Sequence, residues 1–336
     1  MKPAFSEGYR PEIDGLRALA VIPVIFFHAG FEAFGGGFVG VDVFFVISGY
    51  LITSIILQER DSGSFTLSGF YERRARRLLP ALFLVLACCI PFGILILTPP
   101  VFEQFALGLV GSATFSSNLV FLEAAPAYFR SADSELNPLL HTWSLAIEEQ
   151  FYLVYPLFLL LLLKFSRTAL WLTLSILMMS SFLFAVDYND TSFTFFAPHA
   201  RFWELLIGVF VAITLHERGR PLLPENRLIR QLAPILGLLM ILVPVFLIKS
   251  FDARPYIPVS VVALIPVLGT ALVILFSDTR TIIGRLLSLK PLVGIGLISY
   301  SAYLWHQPLL AFYKNVFIGR TESFVLLLLC FLSLVL

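Results

Sequence analysis

Long apolar runs recur along almost the whole chain, and their length constrains the fold more than any other feature. A helix that spans a bilayer needs about 20 mostly apolar residues. Ten runs approach or meet this length, and an eleventh begins near Ser323 and continues to Leu336. The ten cover residues 16–34, 38–57, 79–97, 103–121, 143–163, 169–187, 200–215, 231–248, 259–277 and 293–313. The sequence therefore predicts an all-α, polytopic integral membrane helical bundle of about 10–11 transmembrane helices.

The composition supports this interpretation and excludes several other classes. Apolar residues make up 58% of the 336 residues and charged residues 13%, whereas soluble domains have about 45–50% and about 25%. A single buried core cannot hold this excess, so lipid must cover part of it. The net charge of +1 gives no reason to expect a nucleic-acid partner. The three cysteines lie in apolar runs without metal-ligand spacing, so no metal is expected.

Basic residues predict the orientation of the bundle, because they favour cytoplasmic segments. Arginines cluster between the second and third runs, and four more lie within 216–230. The two segments lie on the same side of the membrane only if one of the runs between them does not cross it. The weakest candidate for a crossing is 103–121, because it contains Glu103 and Gln104. A re-entrant run predicts ten crossings with the last run ending inside, and a crossing run predicts eleven with the last run ending outside.

Polar residues inside predicted spans are candidates for function, because a charge at mid-bilayer costs about 2.5–3.5 kcal/mol on insertion scales. Arg17 and His28 are eleven residues apart in the first span, which places them within about 20° of one helix face and about 16 Å apart along it. An imidazole can take a proton from a hydroxyl near neutral pH. The alternatives are that Arg17 snorkels to the interface and that His28 only bonds a neighbouring helix.

Four arginines follow the second span, at positions 73, 74, 76 and 77. Guanidinium groups bind phosphate through two parallel hydrogen bonds. The cluster therefore fits a cytosolic donor with several phosphates, such as an acyl-coenzyme A. Orientation signalling or binding of anionic lipid explains the same residues.

Two further segments carry candidates for which a structural role is also open. Asp42 and Ser48 lie on the second span as candidate substrate-binding residues, although Asp42 also suits a helix start, where the macrodipole favours a carboxylate. Arg201 and Glu204 have i,i+3 spacing, which is more typical of a structural ion pair.

The fifth and tenth runs add histidines to this set. His141 and Glu148 are seven residues apart and share a helix face. Glu148 could orient a histidine, bind a sugar hydroxyl or pair with an arginine of another helix. Ser299, Tyr303 and His306 form one stripe, although aromatic residues there also suit the membrane interface.

At these residues the chain resembles the acyltransferase 3 family of membrane-bound O-acyltransferases, over almost its whole length. Five segments carry the resemblance: the opening at 9–20, the pair Arg17 and His28, the Arg-x-x-Arg motif at Arg74 and Arg77, residues 143–148, and residues 303–306. Arg73 and Arg76 share the motif's spacing and blur its register. Each pattern is weak by itself, and their order and membrane depth together are specific.

The resemblance implies an acyl-coenzyme A donor, usually acetyl-coenzyme A, and an extracytoplasmic glycan acceptor such as lipopolysaccharide O-antigen or peptidoglycan. It places the protein among the lipids of the bacterial cytoplasmic (inner) membrane. The opening and residues 141–143 are most similar to the bacterial subgroup with a C-terminal SGNH esterase-like domain, whose motifs are not in this sequence. We therefore expect an acyltransferase domain over 1–321, and over 322–336 the start of a final helix leading outward, which favours eleven crossings.

The resulting hypothesis assigns a role to each candidate. The arginines hold the coenzyme, His28 is a general base or a transient acyl carrier, Glu148 orients that centre, and the remaining residues contact the acceptor. The coenzyme residues are Arg17, Arg73, Arg74 and Arg77, and the acceptor residues are Asp42, Ser48, His141 and His306. The rival hypothesis is a proton-coupled transporter of a small polar solute, in which intramembrane His, Glu and Arg are equally expected. A third is a passive glycan-binding scaffold.

Overall fold

The computed structural model describes residues 9–128, 136–187, 191–218, 222, 225–248, 259–317 and 322–336. Within these ranges the chain forms helices and no strand, as the sequence predicts. The helices are α1 Pro11–His28, α2 Gly40–Asp61, α3 Leu67–Ile96, α4 Pro99–Ala113, α5 Ser117–Tyr128, α6 Thr142–Leu162, α7 Arg167–Asp187, α8 Thr191–Phe196, α9 Pro198–Arg218, α10 Arg227–Leu247, α11 Val259–Phe276, α12 Ile282–Leu287, α13 Lys290–Val316 and α14 Ser323–Val335.

Helix starts follow local sequence signals. The Thr66 hydroxyl accepts a hydrogen bond from the Gly69 amide at 3.2 Å and caps α3. The Asn226 side chain accepts one from the Leu228 amide at 2.9 Å and caps α10. Each cap satisfies an amide that has no partner inside its helix. Pro11, whose missing amide is no loss at a first helical position, begins α1.

The long helices alternate in direction. Contacts between side chains show that α3, α7, α10 and α13 run with α1, and that α2, α6, α9, α11 and α14 run against it. By length and composition, six of these helices in the described part are able to cross a membrane: α2, α3, α6, α7, α9 and α10. The predicted polytopic membrane bundle is therefore confirmed.

Residues 103–121 do not form one spanning helix. Helices α4 and α5 are separated by three residues, of which Phe115 has a φ of +53°. The ring of Phe121 in α5 lies beside Gly108 in α4, so the two helices fold back on each other. Helix α6 consequently begins at the end of the bundle where α3 finishes. The re-entrant alternative is the one that the structure has, and a single crossing here is wrong.

The arginine-rich segments lie at one end of the bundle. His216, at the end of α9, bonds Asp61 at the end of α2 over 3.1 Å. We call this the basic end, defined by Arg60, Arg73, Arg76 and Arg218. The opposite end, where α1 finishes at His28, is the histidine end. Both arginine segments share a side, as the re-entrant alternative requires.

The last helix returns to the basic end. Helix α13 runs parallel to α1, because Gly296 packs on the Asp14 backbone and Lys314 Nζ donates to the His28 carbonyl at 2.8 Å. Helix α14 begins six residues after α13 and packs back against it. Helix α14 therefore ends at the end of the bundle where α1 starts, and the expected outward exit of the last helix stays a prediction.

The bundle is apolar outside and polar at selected places inside. Leu95 and Phe331 are 82% and 67% exposed, as expected of side chains that face lipid. By contrast Asp42, Arg201 and His306 are at most 3% exposed. Buried ionisable groups in a membrane bundle mark functional or paired positions, so the site is sought in the interior.

Glycines bring α2 close to α9. A Cβ added at Gly49 would lie 1.9 Å from the Leu205 carbonyl oxygen, and one at Gly208 would lie 2.1 Å from that of Val46. Neither position has room for a side chain. The two helices therefore pack in close contact, and this contact fixes the position of α2 in the bundle.

Candidate active site

An interior cavity of about 200 Å³ opens among α1, α2, α3, α6 and α13. Most of its apolar lining comes from α2, and most of its polar lining comes from the other four helices. The polar lining residues are Arg17, Ser48, Arg74, Arg77, Ser144, Glu148, Glu149, Tyr152, Ser299, Tyr300 and Tyr303. Five helices, three of them consecutive and two from later parts of the chain, thus contribute polar groups to one space, which is the arrangement expected of a ligand site.

Arginine side chains line the part of the cavity nearest the basic end. The Arg74 guanidinium lies 3.6 Å from the centroid of the Tyr152 ring and bonds Glu149 at 2.9 Å. Arg17 bonds Asp14 at 3.3 Å, and its side chain is 11% exposed. These contacts hold two guanidinium groups in place before any ligand arrives, which lowers the entropy lost on binding.

The structure resolves the register of the Arg-x-x-Arg motif. Arg74 and Arg77 line the cavity. Arg73 instead bonds Glu59 at 2.6 Å, and Arg76 bonds Glu72 at 2.7 Å. Arg73 therefore does not join Arg17, Arg74 and Arg77, with which the sequence grouped it as a coenzyme residue.

Glu148 lies in the cavity wall between the arginines and Tyr303. It accepts hydrogen bonds from Ser48 and from Tyr152, the latter at 2.5 Å. One alternative for Glu148 was a pair with an arginine of another helix. The structure has this pair at the neighbouring residue, where Glu149 bonds Arg74. Its hydrogen-bond partners are hydroxyl groups and not a histidine, in contrast to the orienting role that the sequence suggested.

Three histidines, from α1, from α13 and from the residue before α6, meet beyond the end of the cavity that is marked by Tyr303. The ring centroids of His28 and His306 are 5.1 Å apart, and those of His306 and His141 are also 5.1 Å apart. His141 and His306 are buried, and His28 is partly exposed. Among the described residues no such group is arranged to hold a metal ion. The sequence placed His28 and His306 in different roles, and the fold brings them into one cluster.

Carbonyl contacts define which nitrogen of each ring is basic. Nδ1 of His28 lies 2.9 Å from the Val24 carbonyl, and Nδ1 of His306 lies 2.6 Å from that of Tyr303. A carbonyl oxygen only accepts, so each Nδ1 carries the hydrogen and donates it. In the neutral rings Nε2 is then the nitrogen with the lone pair, which is the form that a general base requires.

Tyr303 connects the cavity to the histidines. Its ring centroid lies 5.2 Å from that of His306 and 5.3 Å from that of His141. Its hydroxyl donates to the His141 carbonyl at 3.0 Å and lies 2.6 Å from the Ser144 hydroxyl oxygen. The arginines, Tyr303 and the histidines thus follow one another along the direction of α1, with Tyr303 in contact with both the cavity and two of the histidines.

A family model described as an acyltransferase domain, acyltransferase 3, matches residues 10–336. The chain belongs to the acyltransferase 3 family. Peptidoglycan O-acetyltransferase OatA of Listeria monocytogenes is 33% identical over 315 residues, covering 91% of this chain and 50% of the relative. Putative peptidoglycan O-acetyltransferase YrhL of Bacillus subtilis is 34% identical over 320 residues, covering 90% and 49%.

O-acetyltransferase OatA of Staphylococcus aureus is 33% identical over 334 residues, covering 97% of this chain and 55% of the relative. The chain thus spans about half the length of the curated relatives that it matches. No solved structure matches it. Membership of the acyltransferase 3 family confirms the resemblance seen in the sequence and gives no support to the transporter hypothesis.

In this acyltransferase 3 chain Asp42 lies outside the cavity wall. It is buried and pairs with Arg201, whose Nε lies 3.1 Å from a carboxylate oxygen of Glu204. The expected pair of Arg201 and Glu204 is therefore present and includes a third member from α2. This placement differs from the acceptor contact that the sequence assigned to Asp42, and it gives Asp42 a partner within the bundle.

Sequence reasoning missed several polar residues of the cavity. Ser144, Glu149 and Tyr152 line it but were not assigned roles. All three lie on α6 within two turns of Glu148, so their spacing was the available signal. Periodicity shows that they share a region of one helix, whereas the packing of α6 against α2, α3 and α13 decides which of them face the cavity.

Proposed function

We propose that the protein is a membrane O-acetyltransferase that moves an acetyl group from acetyl-coenzyme A to a hydroxyl of an extracytoplasmic glycan. The observation that carries the proposal is the path from Arg17, Arg74 and Arg77 through the cavity to Tyr303 and the histidines. A donor that is polyanionic at one end and reactive at the other fits such a path. The names of the relatives support acetyl as the group and peptidoglycan as the first acceptor to test.

The basic end is the side for the coenzyme. Arginine-rich segments favour the cytoplasm, where acyl-coenzyme A is made, and the protein then lies in the bacterial cytoplasmic membrane. Arg74 is held by Glu149 and Tyr152, so its guanidinium is preorganised to bind phosphate. Arg17 and Arg77 add positive charge to the same space.

His28 is the proposed general base. Its Nε2 takes the proton of the acceptor hydroxyl while the oxygen attacks the thioester carbonyl carbon. The carbon–sulfur bond then breaks, and the coenzyme leaves as a thiolate that takes up a proton. In an alternative sequence of steps His28 receives the acetyl group and passes it on. Both sequences of steps place the thioester carbonyl beside Nε2 of His28, which lies about 16 Å along α1 from Arg17.

His306 and His141 are the proposed acceptor contacts. Nε2 of His306 is buried and has no hydrogen-bond partner within the described part of the chain. An unsatisfied buried acceptor is costly, and a glycan hydroxyl that donates to it would remove this cost. The same hydroxyl would then lie next to His28. Ser48, which the sequence grouped with the acceptor residues, lines the cavity and is instead proposed to contact the donor.

Binding of acetyl-coenzyme A to the detergent-purified protein, measured by calorimetry, tests the proposal. We expect saturable binding that falls at least 10-fold in Arg74→Ala/Arg77→Ala. The matched control is Arg76→Ala, on the same helix, because Arg76 pairs with Glu72 and its side chain is 78% exposed. Equal loss in the control would show that general charge, and not this site, attracts the coenzyme.

Transfer itself is measured with radioactive acetyl-coenzyme A and peptidoglycan fragments in membranes that contain the protein. Label recovered as a base-labile ester on the glycan supports O-acetylation. Absence of coenzyme binding by a folded wild-type protein would contradict the proposal.

A further inference from the structure

The cavity stops short of the histidines. Ser144 and Tyr303 are among the residues that line it, and none of the three clustered histidines is. Tyr303 is 9% exposed, so the small exposed part of its side chain faces the cavity. Tyr303 is thus a lining residue whose ring also contacts the histidine cluster.

The Tyr303 ring is fixed on both sides. Its hydroxyl donates to the His141 carbonyl at 3.0 Å, which leaves the phenol oxygen to accept from Ser144 at 2.6 Å. Phe44 approaches it from α2 with a centroid distance of 6.3 Å. Two hydrogen bonds to the first turn of α6 and a facing aromatic ring hold the side chain in one position, so it cannot swing aside without breaking them.

The position of the ring restricts what can pass. Its opposite side lies against His306 and His141, with centroids 5.2 Å and 5.3 Å away. The ring thus lies between the cavity and two of the three histidines, His306 and His141, and narrows the approach to the cluster. A rigid aromatic wall next to a reacting centre discriminates by size, and one extra methylene in such a pocket changes selectivity by about 10–200-fold.

We propose that Tyr303 restricts the donor to short acyl groups, by narrowing the end of the cavity where the acyl carbonyl must approach the histidines. The inference rests on the proposed function, because it assumes that the cavity binds an acyl-coenzyme A. The inference adds to that function the residue, Tyr303, that sets the length of the acyl chain on the donor. An acetyl group has one methyl beyond its carbonyl and fits, whereas a hexanoyl chain meets the Tyr303 ring.

Binding of coenzyme A, acetyl-, butyryl- and hexanoyl-coenzyme A to the purified full chain tests the proposal by calorimetry, and no acceptor is needed. For the wild type we expect acetyl-coenzyme A to bind at least 10-fold more tightly than hexanoyl-coenzyme A. Tyr303→Ala is expected to bring the two within about threefold of each other. Butyryl-coenzyme A should lie between them in the wild type.

Tyr300→Ala is the matched control. Tyr300 lies one turn earlier on α13 and also lines the cavity. Its hydroxyl donates to the Leu78 carbonyl over 3.0 Å, and this contact does not involve the histidines. The Tyr300→Ala substitution widens a different part of the cavity, so the ratio of the affinities for acetyl- and hexanoyl-coenzyme A should stay as in the wild type. Equal binding of both donors by the wild type, or an unchanged ratio in Tyr303→Ala, overturns the proposal.

The failure of this inference is distinguishable from failure of the proposed function. If free coenzyme A does not bind the folded wild type, the donor site itself is wrong. If it binds and chain length has no effect, only the role of Tyr303 is wrong. Should Tyr303→Ala lose coenzyme A binding through misfolding, Tyr303→Leu, which keeps apolar bulk but shortens the side chain, makes the same comparison.

Discussion

The rings of His28 and His306 face each other where α1 and α13 pack in parallel, with their centroids 5.1 Å apart. The residues are 278 positions apart in sequence. Each ring donates from Nδ1 to a carbonyl one turn back on its own helix. Both Nε2 atoms are therefore lone-pair nitrogens at one place in the bundle, and this makes the proposed base and the proposed acceptor contact parts of one centre.

Replacement of His28 by Ala is expected to lower acetyl transfer by about 10²–10⁴-fold, the range for loss of a general base. The readout is labelled acetyl transfer in membranes, with coenzyme binding retained because the arginines are untouched. His216→Ala is the control, since His216 bonds Asp61 at the basic end. Near-normal transfer by the His28 variant would show that another group takes the proton.

Replacement of Arg201 by Met is expected to destabilise the protein by about 3–5 kcal/mol, because it leaves the carboxylates of Asp42 and Glu204 buried without their cation. The measurement is thermal unfolding in detergent. Arg76→Ala, which removes an exposed pair with Glu72, should leave the melting temperature unchanged.

Asp42→Asn separates a structural role from the acceptor contact that the sequence suggested. The amide keeps the shape and one acceptor oxygen, so we expect a lower melting temperature and unchanged relative affinities for donor and glycan. A variant with normal melting temperature and lost glycan binding would instead support the acceptor contact.

Gly296→Ala is expected to destabilise the bundle, because the added Cβ would lie 1.8 Å from the Asp14 carbonyl oxygen. Overpacking of this kind costs about 1–3 kcal/mol or more. Gly294→Ala is the matched control on the same helix, since an added Cβ there has no atom of the described structure within 4 Å. The control should be neutral or slightly stabilising, because alanine favours helix. Equal melting temperatures for both variants would contradict the parallel packing of α1 and α13.

Labelling with a membrane-impermeant thiol reagent tests the number of crossings. In a background without Cys88, Cys89 and Cys330, we expect Glu322→Cys to react from outside the cell and Arg76→Cys only after permeabilisation. The reason is that residue 322 follows α13 at the histidine end, whereas Arg76 lies at the basic end. Reaction of the two cysteine variants from the same side of the membrane would show that residues 103–121 cross it.

Much of the fold and part of the site follow from sequence because they depend on local properties. Arg17 and His28 share a face through helix geometry, and both lie on the path of the site. Asp42 shows the limit: its place on the second span suggested a contact with the substrate, whereas its partner Arg201 is 159 residues away. Pairing at that distance depends on which helices are neighbours, and hydropathy carries no information on this.

The sequence by itself determined the membrane class, the helical fold, the family and the residues from which the site is drawn, because run length, charge and short motifs are read along the chain. Only the tertiary structure decided that 103–121 folds back, that Arg74 and Arg77 and not Arg73 line the cavity, and that Tyr303 stands before the histidines. Lipid-facing and interior sides of a membrane helix are both apolar. The position of each polar side chain is therefore set by glycine contacts, buried ion pairs and packing between distant helices.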